Sequence, residues 1–330
     1  MKYLNLPIQH VRNGSYELVP IRYEDRTLIR TWRNEQMYHL RQMEPLTEGQ
    51  QELYFTQVVA SLFHEAHPTQ YLFSYLKDGE CIGYGGLVHI DYQRGSAELS
   101  FIMNTALERD EFDIHWTNYL HLIEKIAFEG LEFNRVFTYA YDLRPHLYPI
   151  LAHAGFYLER IVPNALIEND RSIPAVIHSK WNAIFRRATN KDLMVTFKWS
   201  QEPLIRQYSF NRQEISKTGH ERWFNAKITD SNCHYFMLES SHGKAIGSFR
   251  IDVLPEQPTG VISYLLDPEF HGKGWGIALL VLGQAAAKQL GITSLIGEVM
   301  PENSSSSAIF VKLGYDAEVL SDRIRYQKNL

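Results

Sequence analysis

The sequence predicts an α/β fold made twice: a mixed central sheet flanked by helices, in each of two tandem domains. Three observations predict it. The chain has 330 residues, enough for two ordinary cores. Segments of the first half return in the same order about 160 residues later, the mark of a duplicated domain rather than a solenoid. Within each half, apolar residues alternate with period two in some stretches and follow helical spacing in others.

Each half opens on a strand-like run, YELVPIRYED near residue 16 and NAIFRRATNKD near residue 182. An amphipathic stretch with a tryptophan follows, LIRTWRNEQ around Trp32 and MVTFKWSQE around Trp199. A second helical stretch ends in an aromatic pair, EGQQELYF at 48–55 and KTGHERWF at 217–224. Alternating strands then meet at a turn, over 71–91 and 234–252. Asp78-Gly79 and His242-Gly243 are the hairpin signals, since such turns need residues that accept positive φ. A strand, a helix, a strand and a short helix come next. The closing strands begin in HAGFYLER at 153–160 and KLGYDAEV at 312–319. The predicted order of each half is β-α-α-β-β-β-α-β-α-β. The joint falls in 160–182, a stretch expected to pair as strands before leaving the first domain. The domains are therefore placed at 1–182 and 183–330.

Composition narrows the function classes. The chain is 45% hydrophobic and 22% charged, as expected of a folded soluble protein. A net charge of −5 and the lack of a basic stripe disfavour nucleic-acid binding. Two cysteines, Cys81 and Cys233, sit in different halves and offer neither a disulfide framework nor paired metal ligands. Fourteen histidines are scattered without ligand spacing, so no metal site is expected. No stretch has the length of a membrane span, and the first residues lack a signal-peptide core. A reducing, cytoplasmic setting is the expectation.

The segment LLDPEFHGKGWGIALLVLGQAAAKQL, 265–290, carries the most chemistry. A strand ends at Asp267-Pro268, because proline cannot donate to a ladder. Gly272, Gly274 and Gly276 follow at every second position, and helix formers begin at Ile277. Glycines permit positive φ and close approach to the backbone. The first N–H groups of a helix lack internal partners, and the helix dipole is positive there. Such a turn suits a phosphate or pyrophosphate, with Lys273 and protonated His271 adding charge. The same pattern also fits a tight strand-to-helix turn with no ligand. The G-x-G-x-x-G and P-loop patterns are absent.

The run His271-Gly272-Lys273-Gly274-Trp275-Gly276 resembles the [QR]-x-x-G-x-[GA] acetyl-CoA signature of the GNAT acetyltransferase superfamily, with His271 in place of Gln or Arg. GEVMPENSSSSAIFVKLGYDAE resembles its second cofactor segment, in which an Asn begins a short helix and a Gly-aromatic pair ends it; Asn303 and Gly314-Tyr315 match. The stretches 197–224 and 244–252 resemble the branch that acetylates nucleotide-linked amino sugars, and its neighbour that acetylates ribosomal-protein N-termini. The resemblance covers 183–330. It implies direct acetyl transfer from acetyl-CoA, as cosubstrate, to a primary amine, with no metal.

The resemblance also assigns roles. Residues 271–276 would cradle the cofactor's diphosphate, and Asn303 and Phe310 would lie along the cofactor. A backbone N–H at Leu265 or Leu266 would polarise the thioester carbonyl. Glu298 and His220 are the candidate bases, and Ser306 the proton donor to the thiolate, because Phe310 stands where many relatives have a tyrosine. Arg206, Asn211 and Trp223 would face the acceptor. Each has a plainer reading beside it: Glu298 as a sheet-edge charge, His220 and Trp223 as core residues, Ser306 as a helix-start serine, Arg206 as a solvated helix residue. The expected partner is a small-molecule amine, foremost a nucleotide sugar. A peptide N-terminus, or a non-catalytic acyl-CoA sensor, is the alternative.

The first half lacks the glycines. At the matching place it reads IMNTALERDEFDIHW, where Glu108, Asp110, Glu111 and Asp113 would repel phosphate. The first domain is therefore expected not to hold acetyl-CoA in the usual way. Its Trp32-Arg33-Asn34 segment keeps a binding role open beside a purely structural one.

Overall fold

The computed structural model describes residues 1–168 and 170–330, which form two compact units, Met1–Trp181 and Asn182–Leu330. Among the described residues, the first unit has eight strands: β1 (Val11–Asn13), β2 (Tyr16–Pro20), β3 (Tyr71–Lys77), β4 (Glu80–Asp91), β5 (Ser96–Met103), β6 (Arg135–Tyr141), β7 (Tyr157–Glu168) and β8 (Arg171–Trp181). They lie in the order β1-β2-β3-β4-β5-β6-β8-β7. Only β5 and β6 run parallel. Its helices are α1 (Arg26–Glu35), α2 (Glu48–Leu53), α3 (Ala60–Leu62), α4 (Thr105–Asp110), α5 (Phe112–Glu124) and α6 (Leu147–His153). A wide turn of helix, Tyr54–Val59, joins α2 to α3. Thr47 and Gln50 form a reciprocal cap that starts α2.

The second unit repeats the plan with β9 (Ala183–Arg187), β10 (Cys233–Ser240), β11 (Ala245–Val253), β12 (Thr259–Leu266), β13 (Ser294–Val299), β14 (Asp316–Val319) and β15 (Ile324–Asn329). The order is β14-β15-β13-β12-β11-β10-β9, and only β12 and β13 are parallel. Its helices are α7 (Leu193–Gln201), α8 (Pro203–Arg206), α9 (Lys217–Thr229), α10 (Trp275–Gln289) and α11 (Ser304–Lys312). The repeat reaches individual side chains. Arg22 grips Asp25 with two 2.8 Å bonds at the first strand-to-helix turn, and Arg186 grips Asp192 likewise. The strand order departs from the predicted one in two respects, the first being that the first unit opens on a hairpin, β1–β2, where a single strand is predicted. The second is that each unit closes with two strands, β7–β8 and β14–β15, because the last alternating stretch folds back on itself.

The sheet of the second unit sorts its side chains cleanly. Phe249, Ile262 and Gly297 face α10 and α11: a Cβ on Gly283 of α10 would strike Phe249, and one on Gly297 would strike Phe310. Tyr235 and Arg250 face α9, where Tyr235 meets Phe224 and Arg250 lies 5.2 Å from the Trp223 ring. Alternation along the strands then assigns Tyr264 to the α10–α11 face and Glu298 to the α9 face.

In both units the parallel pair parts. β12 bonds β13 only from Thr259 to Ile262, although β12 stays paired with β11 to Leu266 and β13 with β15 to Val299. β5 bonds β6 only from Ser96 to Glu98, while the two strands run on to Met103 and Tyr141.

Candidate active site

Past Ile262 and Gly297 the backbones of β12 and β13 are no longer paired, which leaves an opening in the second sheet. Which amides line it follows from the ladder. Asp267 N–H donates to Ile246 O at 2.9 Å, and Leu254 N–H to Thr259 O at 2.9 Å. Odd residues of β12 therefore point their amides at β11, and even residues point theirs at β13. Past Ile262, the N–H groups of Tyr264 and Leu266 face the opening. Of the two amides expected there, Leu266 fits and Leu265 does not, because Leu265 bonds Ser248 in the ladder.

β12 leads straight into the glycine turn. Asp267 starts it, accepting from Glu269 N–H at 3.0 Å and from the buried Trp199 Nε1–H at 2.8 Å. Gly272 and Gly274 take φ of +75° and +84°. A Cβ at either would meet nothing within 4 Å, so these glycines answer the backbone's hand and leave open space outside it. Gly276 has a different reason: a Cβ there would come 2.6 Å from Ile309 Cδ1, so it lets α10 approach α11. Trp275 is buried. Among the described residues, the N–H groups of 272–276 find no acceptor. They form a row of donors at the N-terminus of a fifteen-residue helix. Lys273 is exposed nearby, and His271 Nε2–H donates to Leu266 O at 3.2 Å, which ties the turn to the strand end.

α11 borders the same opening. Asn303 caps it, its Oδ1 accepting from Ser306 N–H at 3.1 Å. Ser306 Oγ lies 2.7 Å from Tyr264 Oη, and burial pushes that phenol up to about 12. Phe310 does not line the opening. It is 1% exposed, stacked on Tyr326 at 4.8 Å and edge-on to Tyr315, with its ring tip over Gly297. A core position explains why a hydroxyl-free ring sits there.

The α9 face holds the other candidates. Glu298 accepts from Arg323 Nη1 at 2.6 Å and Arg325 Nη2 at 3.2 Å. Although partial burial opposes it, bonding to the two guanidiniums holds the carboxyl below its ordinary range. So anchored, Glu298 makes a weak base. His220 is 4% exposed and packed among Phe197, Trp223 and Phe224. Its Nε2 is 3.1 Å from Thr196 Oγ1, whose own proton is directed to helix carbonyls. Nε2 therefore carries the hydrogen, and burial keeps the ring neutral. His220 is a core histidine. Arg206 donates to Gln213 O and Asn211 Oδ1 accepts from Gln213 N–H, so both shape their own loop. Trp223 is 36% exposed under Arg250. The same loop carries Phe210, exposed, with the Arg323 guanidinium 4.6 Å from its ring. Tyr264, Arg323 and Phe210 were not singled out from the sequence. No motif marks them; only the strand parity and the loop's path bring them to the opening.

At the matching place the first unit is shut by its own side chains. The acidic run lies on helix α4, capped by Asn104, and on the start of α5. Glu108 turns inward to Arg144 at 3.1 Å, and that guanidinium sits about 6 Å from the rings of Phe112 and Trp116. Gln36, 1% exposed, donates to Met103 O at 2.8 Å, the carbonyl facing the gap of β5. His39 stacks against this network, 3.4 Å from Gln36 Oε1. Arg33 and Asn34 are likewise occupied, by Tyr84 and Gln42 and by Leu46.

Two units of one plan, each with a parted parallel pair, make the chain a tandem α/β protein. The family described as "Acetyltransferase (GNAT) domain" matches residues 18–177 and again 182–316, so the chain belongs to the GNAT acetyltransferase family and carries two of its domains. It is similar to a mycothiol acetyltransferase of Saccharomonospora viridis, 27% identical over 128 residues, or 36% of this chain and 39% of that protein. The chain thus spans about two fifths of that relative. Among solved structures, the spermidine N-acetyltransferase of Vibrio cholerae in complex with CoA and spermine is 18% identical, with a TM-score of 0.42 over 45% of this chain and 95% of that one. A domain from Methanocaldococcus jannaschii is 21% identical, with a TM-score of 0.40 over 45% and 98%. No group of three or more His, Cys, Asp or Glu is arranged to hold a metal among the described residues. No described helix is long and apolar enough to cross a membrane.

Proposed function

We propose that the chain is an acetyl-CoA-dependent N-acetyltransferase in which the second unit alone holds acetyl-CoA and passes its acetyl group to a primary amine. One observation carries this reading: the open end of β12, with the amides of Tyr264 and Leu266 bared, runs directly into the unpartnered N–H groups of 272–276. These donors fit a diphosphate at the turn and a thioester carbonyl in the opening. Leu266 N–H binds the carbonyl oxygen as charge develops on it. Asn303 holds the start of α11 in place. Ser306 Oγ–H delivers a proton to the departing sulfur. The amine approaches from the α9 face, past Glu298, Arg323 and Phe210. Ammonium is not nucleophilic, so the amine sheds its proton to water. Glu298 positions the arginines rather than taking the proton.

The first unit is proposed to hold no acetyl-CoA, because the Arg144–Glu108 pair and Gln36 fill its opening. The acceptor proposed is a nucleotide-linked amino sugar, supported by the resemblance of 197–224 and 244–252 and by the arginine-aromatic rim at Arg323 and Phe210. The test is CoA release with three acceptors: a UDP-linked 4-amino sugar, spermidine, and a peptide with a free N-terminus. The reading expects the sugar to be turned over fastest. Preference for the peptide or the polyamine overturns the acceptor, and CoA release from none of the three overturns the activity.

A further inference from the structure

Tyr264 is a residue of the opening with no task in the scheme above. It lies on β12 two residues past the last β13 pair, on the α10–α11 face. Its hydroxyl meets Ser306 Oγ at 2.7 Å. Ser306 is 9% exposed and sits in the first turn of α11, below the Asn303 cap. Phe310 lies one turn further on and ends in carbon. Tyr264 and Ser306 thus each bring a hydroxyl to this face, and the two touch.

The direction of the bond follows from acidity. A phenol is a far stronger acid than an aliphatic alcohol, so the phenol donates and the serine oxygen accepts. That leaves the Ser306 proton free to point away from Tyr264. A serine alone is a poor acid, since an alkoxide would be left behind. A serine that receives a proton while it gives one leaves no alkoxide.

We propose that Tyr264 and Ser306 form a two-proton relay to the leaving sulfur, Tyr264 acting through Ser306 as a positioning and proton-supplying residue. This rests on the reading that the second unit transfers acetyl from acetyl-CoA. As the carbon–sulfur bond breaks, the sulfur keeps the electron pair and takes the Ser306 proton. Ser306 takes the Tyr264 proton in the same step. The tyrosinate is then reprotonated by water, which carries the proton shed by the newly acylated nitrogen. No oxidant, reductant or further reactant is needed. Burial keeps Tyr264 protonated at neutral pH, so the donor is loaded before each turnover.

The experiment compares the full-length protein with Tyr264→Phe, Ser306→Ala and the double variant. Phenylalanine keeps the ring and its packing beside Phe310. The first readout needs no acceptor: CoA binds, and the pH dependence of alkylation of its bound thiol by iodoacetamide reports the thiol pKa. Wild type is expected to hold that pKa below the value for free CoA, and both single variants to return it toward the free value. The second readout is kcat with the fastest of the three amines above, in mixtures of light and heavy water. The expected loss for Tyr264→Phe is about 10²-fold in kcat with KM for acetyl-CoA within twofold. The double variant should lose no more than either single one. The curved solvent-isotope plot of a two-proton step should become linear in Tyr264→Phe. A Tyr264→Phe enzyme with wild-type thiol pKa and kcat overturns the relay, as does a loss confined to Ser306→Ala. If wild type itself fails to bind CoA, the functional reading beneath the relay is what fails.

Discussion

Gly274→Glu places the largest predicted effect on the fewest atoms. Gly274 precedes α10 with φ of +84°, and a Cβ there has nothing within 4 Å. The fold therefore feels backbone strain and no clash, about 1–2 kcal/mol for an L-residue in that region. In a unit of this size that is a fall of several degrees in melting temperature. Binding feels much more. A carboxylate about 5 Å from one phosphate charge, at an effective dielectric near 20, repels it by about 3 kcal/mol. Repulsion of this size predicts a loss of acetyl-CoA affinity of more than about 100-fold at low salt, shrinking as salt rises. Gly274→Ala carries the strain without the charge. It should melt like the Glu variant and bind within about tenfold of wild type. Isothermal titration with acetyl-CoA, paired with thermal melts, separates the two terms. Glu and Ala variants that bind equally well would refute the electrostatic reasoning.

Three further outcomes are expected. Glu298→Gln should leave the pH–rate profile without a lost inflection and change kcat by less than about tenfold, since the paired carboxylate is not the base; loss of a basic limb measured by steady-state kinetics contradicts this. Phe310→Tyr should destabilise the second unit by about 1–3 kcal/mol without raising kcat, because its hydroxyl would press on Gly297 without a partner; a rise in turnover with unchanged melting speaks against it. Acid should weaken the first unit. Burial holds His39 down at about 3 and His178 at about 4, both below the ordinary 6.5. For bases with depressed folded pKa, the unfolded chain binds the extra protons, so stability is full above pH 6.5 and lost as pH falls from there toward 4 and 3. The loss for His178 alone approaches about 3 kcal/mol. Chemical denaturation at pH 7.5 and 4.5 measures it, and equal midpoints would contradict the sign.

Much of the fold was legible because its signals are local. The alternating stretches at 71–91 and 234–252, the turn glycines and the helix starts each declare themselves within a dozen residues. The second closing hairpin was half seen, because β14 and β15 are short and β14 is exposed along its whole length. The glycine turn was readable as a phosphate-type turn, but the separate reasons for its glycines were not. Gly276 answers to Ile309, a residue over thirty positions away. Glu298 illustrates the limit on side-chain roles: its partners are Arg325 on β15 and Arg323 just before it, and no local pattern fixes the register that brings them there. Tyr264 was invisible for the same reason. Its meaning depends on where β13 leaves β12, and that is a property of the sheet.

The most direct measurement is the stoichiometry of acetyl-CoA on the full-length chain, by isothermal titration of wild type and Gly274→Glu side by side. The account predicts one molecule per chain in wild type and none at matched concentration in the variant. Two molecules per chain, or one that persists in Gly274→Glu, would place the cofactor in the first unit and contradict the division of labour between the two.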